Sequence, residues 1–475
     1  MTAAVARGAV RAGPRARTVL PAVGATAVLA AALGLGLGRG QVNYDSLYAL
    51  VWGRDLAHGH VPDYTAGVLP PTPHPLSTLT GVLLAPLGTR ADAGLLVVAF
   101  LALAALGVLA FTVARDLGGV GTGVAAAALV LTRDTTLFYG ALAYFDVVFA
   151  ALVLAALAVG TRRPRTRGPV LALLGVAGLW RPEAWVLAVA YALYLMPALT
   201  GWRPRALVLL GALAAPAVWL CFDLAFAGDP LFSLTHTQHA ADALDRPRGV
   251  GAALRELPRA LGQVVRPAAA IGAVAGLALA VAFARRRAAL LVATCTVSGA
   301  GTAVAVAAGT PLNARYVLLP GVLCLLLCAV ALGGWTQLPR GHRGRIAWQL
   351  VAAVVALLLV ATAPREIDRL RAVHDRVAFQ AAVARDARST ADDAHCDRVT
   401  VEGGRPVPLL SLALDRPATR FFVARAVAPR RGLVLAPADG RVVRDYLLMG
   451  RVPRPARLPV VAASRYWRLY GRCGG

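Results

Sequence analysis

Eleven long apolar runs interrupt this chain, and they restrict its possible folds more than any other feature. They fall at about 19–38, 93–113, 118–132, 145–160, 168–180, 184–199, 206–226, 267–284, 288–308, 317–335 and 346–363. A helix needs about 20 such residues to cross a hydrocarbon layer, and fewer where it tilts or the bilayer thins. Alanine, valine and leucine carry the runs, and 58% of the 475 residues are hydrophobic. That pattern suits spanning helices better than barrel strands. The expected fold class is an all-α polytopic membrane protein with about 11 transmembrane helices.

Charge orients the spans. The formal net charge is +25, and every basic side chain is arginine. The arginines form no single stripe, so a nucleic-acid partner is not expected. Many lie in short connections: Arg7–Arg17, Arg115, Arg162–Arg167, Arg203–Arg205, Arg285–Arg287 and Arg340–Arg345. The positive-inside rule places these in the cytosol, giving an N-in, C-out topology. That topology requires a break at Trp180-Arg181-Pro182-Glu183-Ala184-Trp185. One helix over 168–199 would be about 48 Å long and would invert every later loop. Two short helices are expected instead, with Pro182 opening the second. The first run follows a basic start, as signal peptides do, but it is long enough to be retained as a span.

Residues 1–363 form the expected membrane domain, with long outer loops at 39–92 and 227–266. Residues 364–475 carry no span and read as a small α/β extracytoplasmic domain. A helical face of Ile367, Leu370, Val373 and Val377 opens it. Strand-like runs follow at 398–402, 407–413, 420–425, 432–436 and 464–470. Cys396 and Cys473 flank the strands. An oxidising compartment permits a bridge between them, contributing about 4 kcal/mol by chain entropy, with two free thiols as the alternative. Cys221, Cys295, Cys324 and Cys328 lie in apolar runs and make no metal-site pattern.

The polar residues that stand out share the outer side of this topology. The first outer loop holds Asp45, with Tyr44 and His74 near it. Later connections supply Arg133, Asp134, Tyr144 and Asp146, then Arg181 and Glu183, then Asp223, Asp229, His236 and His239, and last Asn313, Arg315 and Tyr316. Ionisable groups at membrane depth are costly and usually face a cavity. A site at the lipid boundary suits glycosyl transfer from a polyprenyl-phosphate sugar. That reaction needs a carboxylate to take the acceptor proton and cations to hold the departing phosphate. Asp45 is the candidate base, and Arg315 and Arg181 the candidate phosphate holders.

Each residue also has a plainer reading. Asp45 and Asp146 are placed to cap helices. Asp134 can pair with Arg133, and Arg181 with Glu183. Arg315 can snorkel to headgroups. His236 and His239, three apart, can be loop residues, substrate contacts or metal ligands. No GxSxG, HExxH, P-loop or GxGxxG motif supports soluble hydrolase or nucleotide-binding chemistry.

Several segments taken in order resemble the GT-C superfamily of membrane glycosyltransferases. They are Asp45-Ser46-Leu47-Tyr48, Gly59, Thr72-Pro73-His74-Pro75-Leu76, Gly178-Leu179-Trp180-Arg181-Pro182-Glu183-Ala184-Trp185, Gly228-Asp229-Pro230-Leu231-Phe232-Ser233 and Pro311-Leu312-Asn313-Ala314-Arg315-Tyr316. The resemblance covers residues 19–363. It implies an inverting transfer of a sugar, such as mannose or arabinose, from a polyprenyl-phosphate donor, with Asp45 as base. The acceptor would be an envelope glycan, lipid or protein outside a bacterial plasma membrane. Ser46 follows Asp45 where some members have a second acid, so no cofactor is expected and a divalent metal stays open. An O-antigen-type polymerase or ligase is the nearest alternative. A transporter or other non-catalytic binding protein is the second.

Overall fold

The computed structural model describes residues 16–38, 40–67, 69–392, 399–423, 432–447 and 458–472. Cys396 and Cys473 lie outside the described residues. The helices begin with α1 (Ala16–Leu37), α2 (Tyr44–Ala57), α3 (Pro75–Leu84) and α4 (Ala91–Gly118). Next come α5 (Val120–Leu131), α6 (Asp134–Ala141), α7 (Phe145–Arg162), α8 (Gly168–Trp180), α9 (Glu183–Leu195) and α10 (Trp202–Ala227). Then follow α11 (Phe232–Ala243), α12 (Val250–Val265), α13 (Pro267–Phe283), α14 (Arg285–Ala307), α15 (Leu318–Gly333) and α16 (Arg343–Asp392). The last helix, α17 (Pro406–Ala413), belongs to a sheet of β1 (Val399–Val401), β2 (Phe421–Val423), β3 (Gly432–Pro437), β4 (Val460–Ala463) and β5 (Trp467–Arg472).

The chain is a multi-pass membrane protein. Among the described residues six helices are long and apolar enough to cross a bilayer, or seven if α12 and α13, bent by 96° at Arg266, count as one span. Four shorter apolar helices accompany them, including α5, α8 and α9. Each of the eleven apolar runs overlaps a helix. The expected break at Arg181-Pro182 is present, with Arg181 extended at φ −152° and ψ 129° between α8 and α9.

Helix α15 is hydrophobic on every side and forms the centre of the bundle, as such helices do. It meets α13 backbone to backbone. A Cβ on Gly276 would lie 1.9 Å from the Leu327 carbonyl oxygen, and one on Gly272 would lie 2.4 Å from Cys328 Sγ. This is the small-residue packing that replaces hydrophobic driving force between helices in lipid.

The same device sets α2 on α3. A Cβ on Gly53 would fall 2.2 Å from the Gly81 carbonyl carbon, and one on Gly81 would fall 2.1 Å from the Ala49 oxygen. Rigid backbone stands on both sides, so Gly53→Ala must force α2 away from α3. Gly53→Ala should destabilise the protein by about 1–3 kcal/mol through overpacking, read as a lower melting temperature. It should also weaken any activity that depends on α2. An unchanged melting curve would show that the crossing has slack.

The C-terminal sheet has the order β2-β1-β3-β5-β4. β1 runs parallel to both β2 and β3, while β5 runs antiparallel to β3 and β4. This topology corrects one expectation. Residues 407–413 form helix α17, not a strand, because parallel β1 and β2 need a crossover between them. The sequence 407–413 is buried at nearly every position, and a short apolar run of that kind has no period to separate strand from helix. β4 falls in a segment with no strand expectation, and the last strand is Trp467–Arg472 where 464–470 was expected.

The eleventh apolar run and the helical face after it are one helix. α16 has 50 residues, about 75 Å at 1.5 Å per residue, and contains Pro364. It therefore leaves the bundle and continues into the C-terminal core, where Phe379, Val383, Ala384 and Ala387 are buried. That core is shared with α2. Arg54, 6% exposed, donates to the carbonyls of Ser411 (2.8 Å) and Arg416 (3.1 Å) and pairs with Asp415 at 3.3 Å.

Glu402, at the end of β1, is buried, and its Oε1 has no hydrogen-bond partner among the described residues. Burial pushes its carboxyl up to about 7. The folded state then binds the proton more tightly than the unfolded chain, whose Glu titrates near 4.5. Stability falls as pH rises from about 4.5 through 7. Glu402→Gln should remove that slope and stabilise the domain at pH 8 by roughly 2–3 kcal/mol. Thermal unfolding at pH 5 and pH 8 checks this, and equal shifts at both would refute it.

Candidate functional site

Asp45 owes its position to Asn43. The Asn43 side-chain oxygen accepts from the backbone N–H of Asp45 (2.9 Å) and Ser46 (3.2 Å), capping α2. Its amide nitrogen donates to the carbonyls of Leu142 (2.8 Å) and Ala143 (3.1 Å), and Ser46 Oγ donates to Ala143 at 2.7 Å. The start of α2 is thus bolted to the turn between α6 and α7. Asn43 is the cap, so the Asp45 carboxylate is left free to reach outward in the first turn, where the helix dipole favours a negative charge.

That carboxylate meets Arg315 across 270 residues of chain. Arg315 Nη1 donates to Asp45 Oδ2 at 2.5 Å. The Arg315 guanidinium lies 5.5 Å from the ring of Tyr144 and 5.6 Å from that of Tyr316. Burial pushes the Asp45 carboxyl up, but the charge and hydrogen bond of Arg315 outweigh it and hold the group below its usual range.

A second ionic group lies beside the first. Arg181, 6% exposed at the α8–α9 break, donates through Nη1 to Asp146, through Nε to Glu183 Oε2 (3.1 Å) and through Nη2 to Glu183 Oε1 (2.5 Å). Its guanidinium stacks on Tyr316 at 4.5 Å, so one ring separates Arg181 from Arg315. Asp146 is 4% exposed and sits in the first turn of α7 rather than at its cap.

His74 Nδ1 donates to the Trp180 carbonyl at 2.6 Å, leaving Nε2 without a proton. Burial, with the nearby Arg181 and Arg315 charges, pushes the ring down to about 4 against the Trp180 bond that raises it. His74 is therefore neutral at physiological pH.

All these residues line one cavity of about 1340 Å³, together with Asp134 and Asp223. The wall extends to Gly403, Gly404 and Arg405 of the C-terminal domain and to Arg376 on α16. Arg246 completes it. Arg246, Arg376 and Arg405 make no ion pair among the described residues, and sequence reasoning missed all three. Nothing local distinguishes them from the many surface arginines.

Several expected roles change. Asp134 does not pair with Arg133. It accepts from Arg266 Nη2 at 2.6 Å, while Arg133 reaches Glu366 at 3.3 Å. These pairs tie the α5–α6 corner to the α12–α13 bend and to α16. His236 and His239 do not line the cavity. His236 Nε2 bonds the Pro70 carbonyl (2.8 Å), and its ring stacks on Phe232 at 5.3 Å, while His239 is exposed. α11 reaches the cavity instead through Ser233, Leu234, Thr237 and Gln238. Thr237 also bonds Thr72 at 2.6 Å.

In the Gly228–Ser233 motif, Pro230, Leu231 and Ser233 line the cavity, and hydrogen bonds fix the turn. Asp229 Oδ1 accepts from the Leu231 N–H (2.9 Å), and the buried Asp223 accepts from the N–H and hydroxyl of Ser233 (2.9 and 2.8 Å). Among the described residues no three His, Cys, Asp or Glu side chains gather as metal ligands.

No family model and no curated protein matches the sequence. Solved structures do match by fold. ArnT from Cupriavidus metallidurans, with bound undecaprenyl phosphate, aligns at a TM-score of 0.56 and 14% identity, over 95% of this chain and 97% of that one. Its apo form aligns at 0.56 and 15%, over 96% and 98%. An oligosaccharyltransferase from Archaeoglobus fulgidus, in complex with zinc and sulfate, aligns at 0.47 and 12%, over 87% and 68%. Over about 95% of its length the chain shares the fold of ArnT.

Proposed function

We propose that this protein is a membrane glycosyltransferase that takes a sugar from a polyprenyl-phosphate donor at the outer leaflet of a bacterial plasma membrane. The observation that carries the proposal is the convergence of Asp45, Arg315, Arg181, Asp146 and Glu183 on one cavity in a bundle with this fold. An N-in, C-out orientation of eleven apolar helices, as read from the sequence, would put that cavity outside the cytosol. The arginine-rich connections at the other end of the bundle accord with this orientation.

The Asp45–Arg315 pair suggests an order of events. With the site empty, Arg315 holds Asp45 as a weak base. A donor phosphate competes for the same guanidinium, and the carboxylate it displaces becomes more basic. The acceptor hydroxyl then gives its proton to Asp45 as its oxygen bonds the anomeric carbon. The carbon–oxygen bond to phosphate breaks on the opposite face, so the configuration inverts. Polyprenyl phosphate leaves with the bonding pair, stabilised by Arg315 and by Arg246, Arg376 and Arg405 of the cavity wall. Arg181 is committed to Asp146 and Glu183, so its part is to position Tyr316 and the cavity wall.

Membranes containing the protein, given radiolabelled polyprenyl-phosphate mannose or arabinose, should transfer label to an envelope acceptor. The label should stay with the donor in membranes lacking the protein. If no lipid-phosphate sugar serves as donor, the assignment as a transferase falls.

A further inference from the structure

The helices that bring Asp146, Arg181 and Glu183 into the transfer cavity carry a second cleft at their other ends. It lies between α7, α8, α9 and α14 and encloses about 770 Å³, within the ~300–1,000 Å³ of sites that hold small ligands. Its walls are apolar: Val153 and Leu157 of α7, Leu174 of α8 and Leu187 of α9 are all buried, and they face Leu290 and Val297 of α14. Its mouth is basic. Arg162, Arg286 and Arg287 line it against a single acid, Asp116. Asp116 is already bonded to Arg162 at 2.5 Å. Arg287 donates to Gln337 at 3.0 Å, and neither Arg286 nor Arg287 has an acidic partner among the described residues.

We propose that this cleft binds an anionic diacyl phospholipid from the leaflet opposite the transfer cavity. The phosphate would sit on Arg286 and Arg287, and an acyl chain would fill the apolar slot. Two features of the cleft make lipid the fitting occupant. Arginines that only snorkel need no slot beneath them. A soluble anion would have no use for walls of valine and leucine, whereas basic pockets between membrane helices suit acidic headgroups. The site is separate from the transfer cavity, and its occupancy is measured by binding alone, so the proposal stands or falls independently of the reaction.

The test uses the full chain, purified and delipidated in mild detergent, with native mass spectrometry as readout. Phosphatidylglycerol should be retained at least 10-fold better than phosphatidylcholine, with one tight equivalent per chain. Arg286→Gln/Arg287→Gln should abolish the preference. Ala293→Trp, at an exposed position that lines the slot, should reduce retention about as much while keeping both charges. Glycerol phosphate alone should not bind. The proposal is overturned if phosphatidylcholine is held equally well, if glycerol phosphate competes, or if both variants retain phosphatidylglycerol like wild type with unchanged melting temperatures.

Discussion

Asp45→Asn is expected to lower sugar transfer by about 10²–10⁴-fold, the usual contribution of a positioned general base. The substitution keeps the shape of the side chain and an oxygen that can still accept from Arg315. Asn43 caps α2 without help from Asp45, so the helix and its attachment to the α6–α7 turn should survive. Melting temperature and expression should therefore stay near wild type while turnover collapses. The donor should not bind less tightly, because an arginine relieved of its carboxylate is more available to phosphate. Normal transfer by the asparagine variant would remove Asp45 from the mechanism.

A pH profile adds a second check on the same residue. The Asp45 carboxyl is held below its usual range by Arg315, so the acid limb of kcat/KM should lie below that of an ordinary aspartate. For stability the sign is the same: the ion pair contributes above the unfolded carboxyl's range and is lost as pH falls through the depressed folded value. In Arg315→Gln the carboxyl would be governed by burial, and the acid limb should move upward.

Arg181→Ala should be the most damaging substitution to the fold. It strands the carboxylates of Asp146 and Glu183 beside each other, with Asp146 4% exposed. Breaking a buried pair from one side costs about 3–5 kcal/mol, since the remaining charge has no partner. The fraction of protein surviving a heat step in detergent should drop sharply. Arg181→Ala/Asp146→Asn/Glu183→Gln should recover much of that resistance by removing the stranded charges. It should not recover transfer if Arg181 also shapes the cavity through Tyr316. A triple variant no more resistant than Arg181→Ala would show that the arginine stabilises by packing alone.

The membrane character of this chain, the positions of its apolar helices and the break at Arg181-Pro182 were legible in the sequence. Each depends on local quantities: the length of an apolar run, the density of arginine in a short connection, and a proline that cannot continue a helix. Residue types at the site were legible too, because an acid or arginine between apolar runs is costly enough to stand out. The local pair of Arg181 with Glu183 was legible as well, but the more distant partners were not. Asp134 met Arg266 instead of its neighbour Arg133, His236 was taken up by the Pro70 carbonyl, and Arg54 became the clamp on the C-terminal domain. The strand-like run at 407–413 became a helix because two parallel strands lay on either side of it. Apolar spans follow from the transfer free energy of consecutive residues, which adds up along the chain. Ion pairs and crossovers depend on distances between residues hundreds of positions apart, such as Asp45 and Arg315, and those distances exist only once the helices have packed.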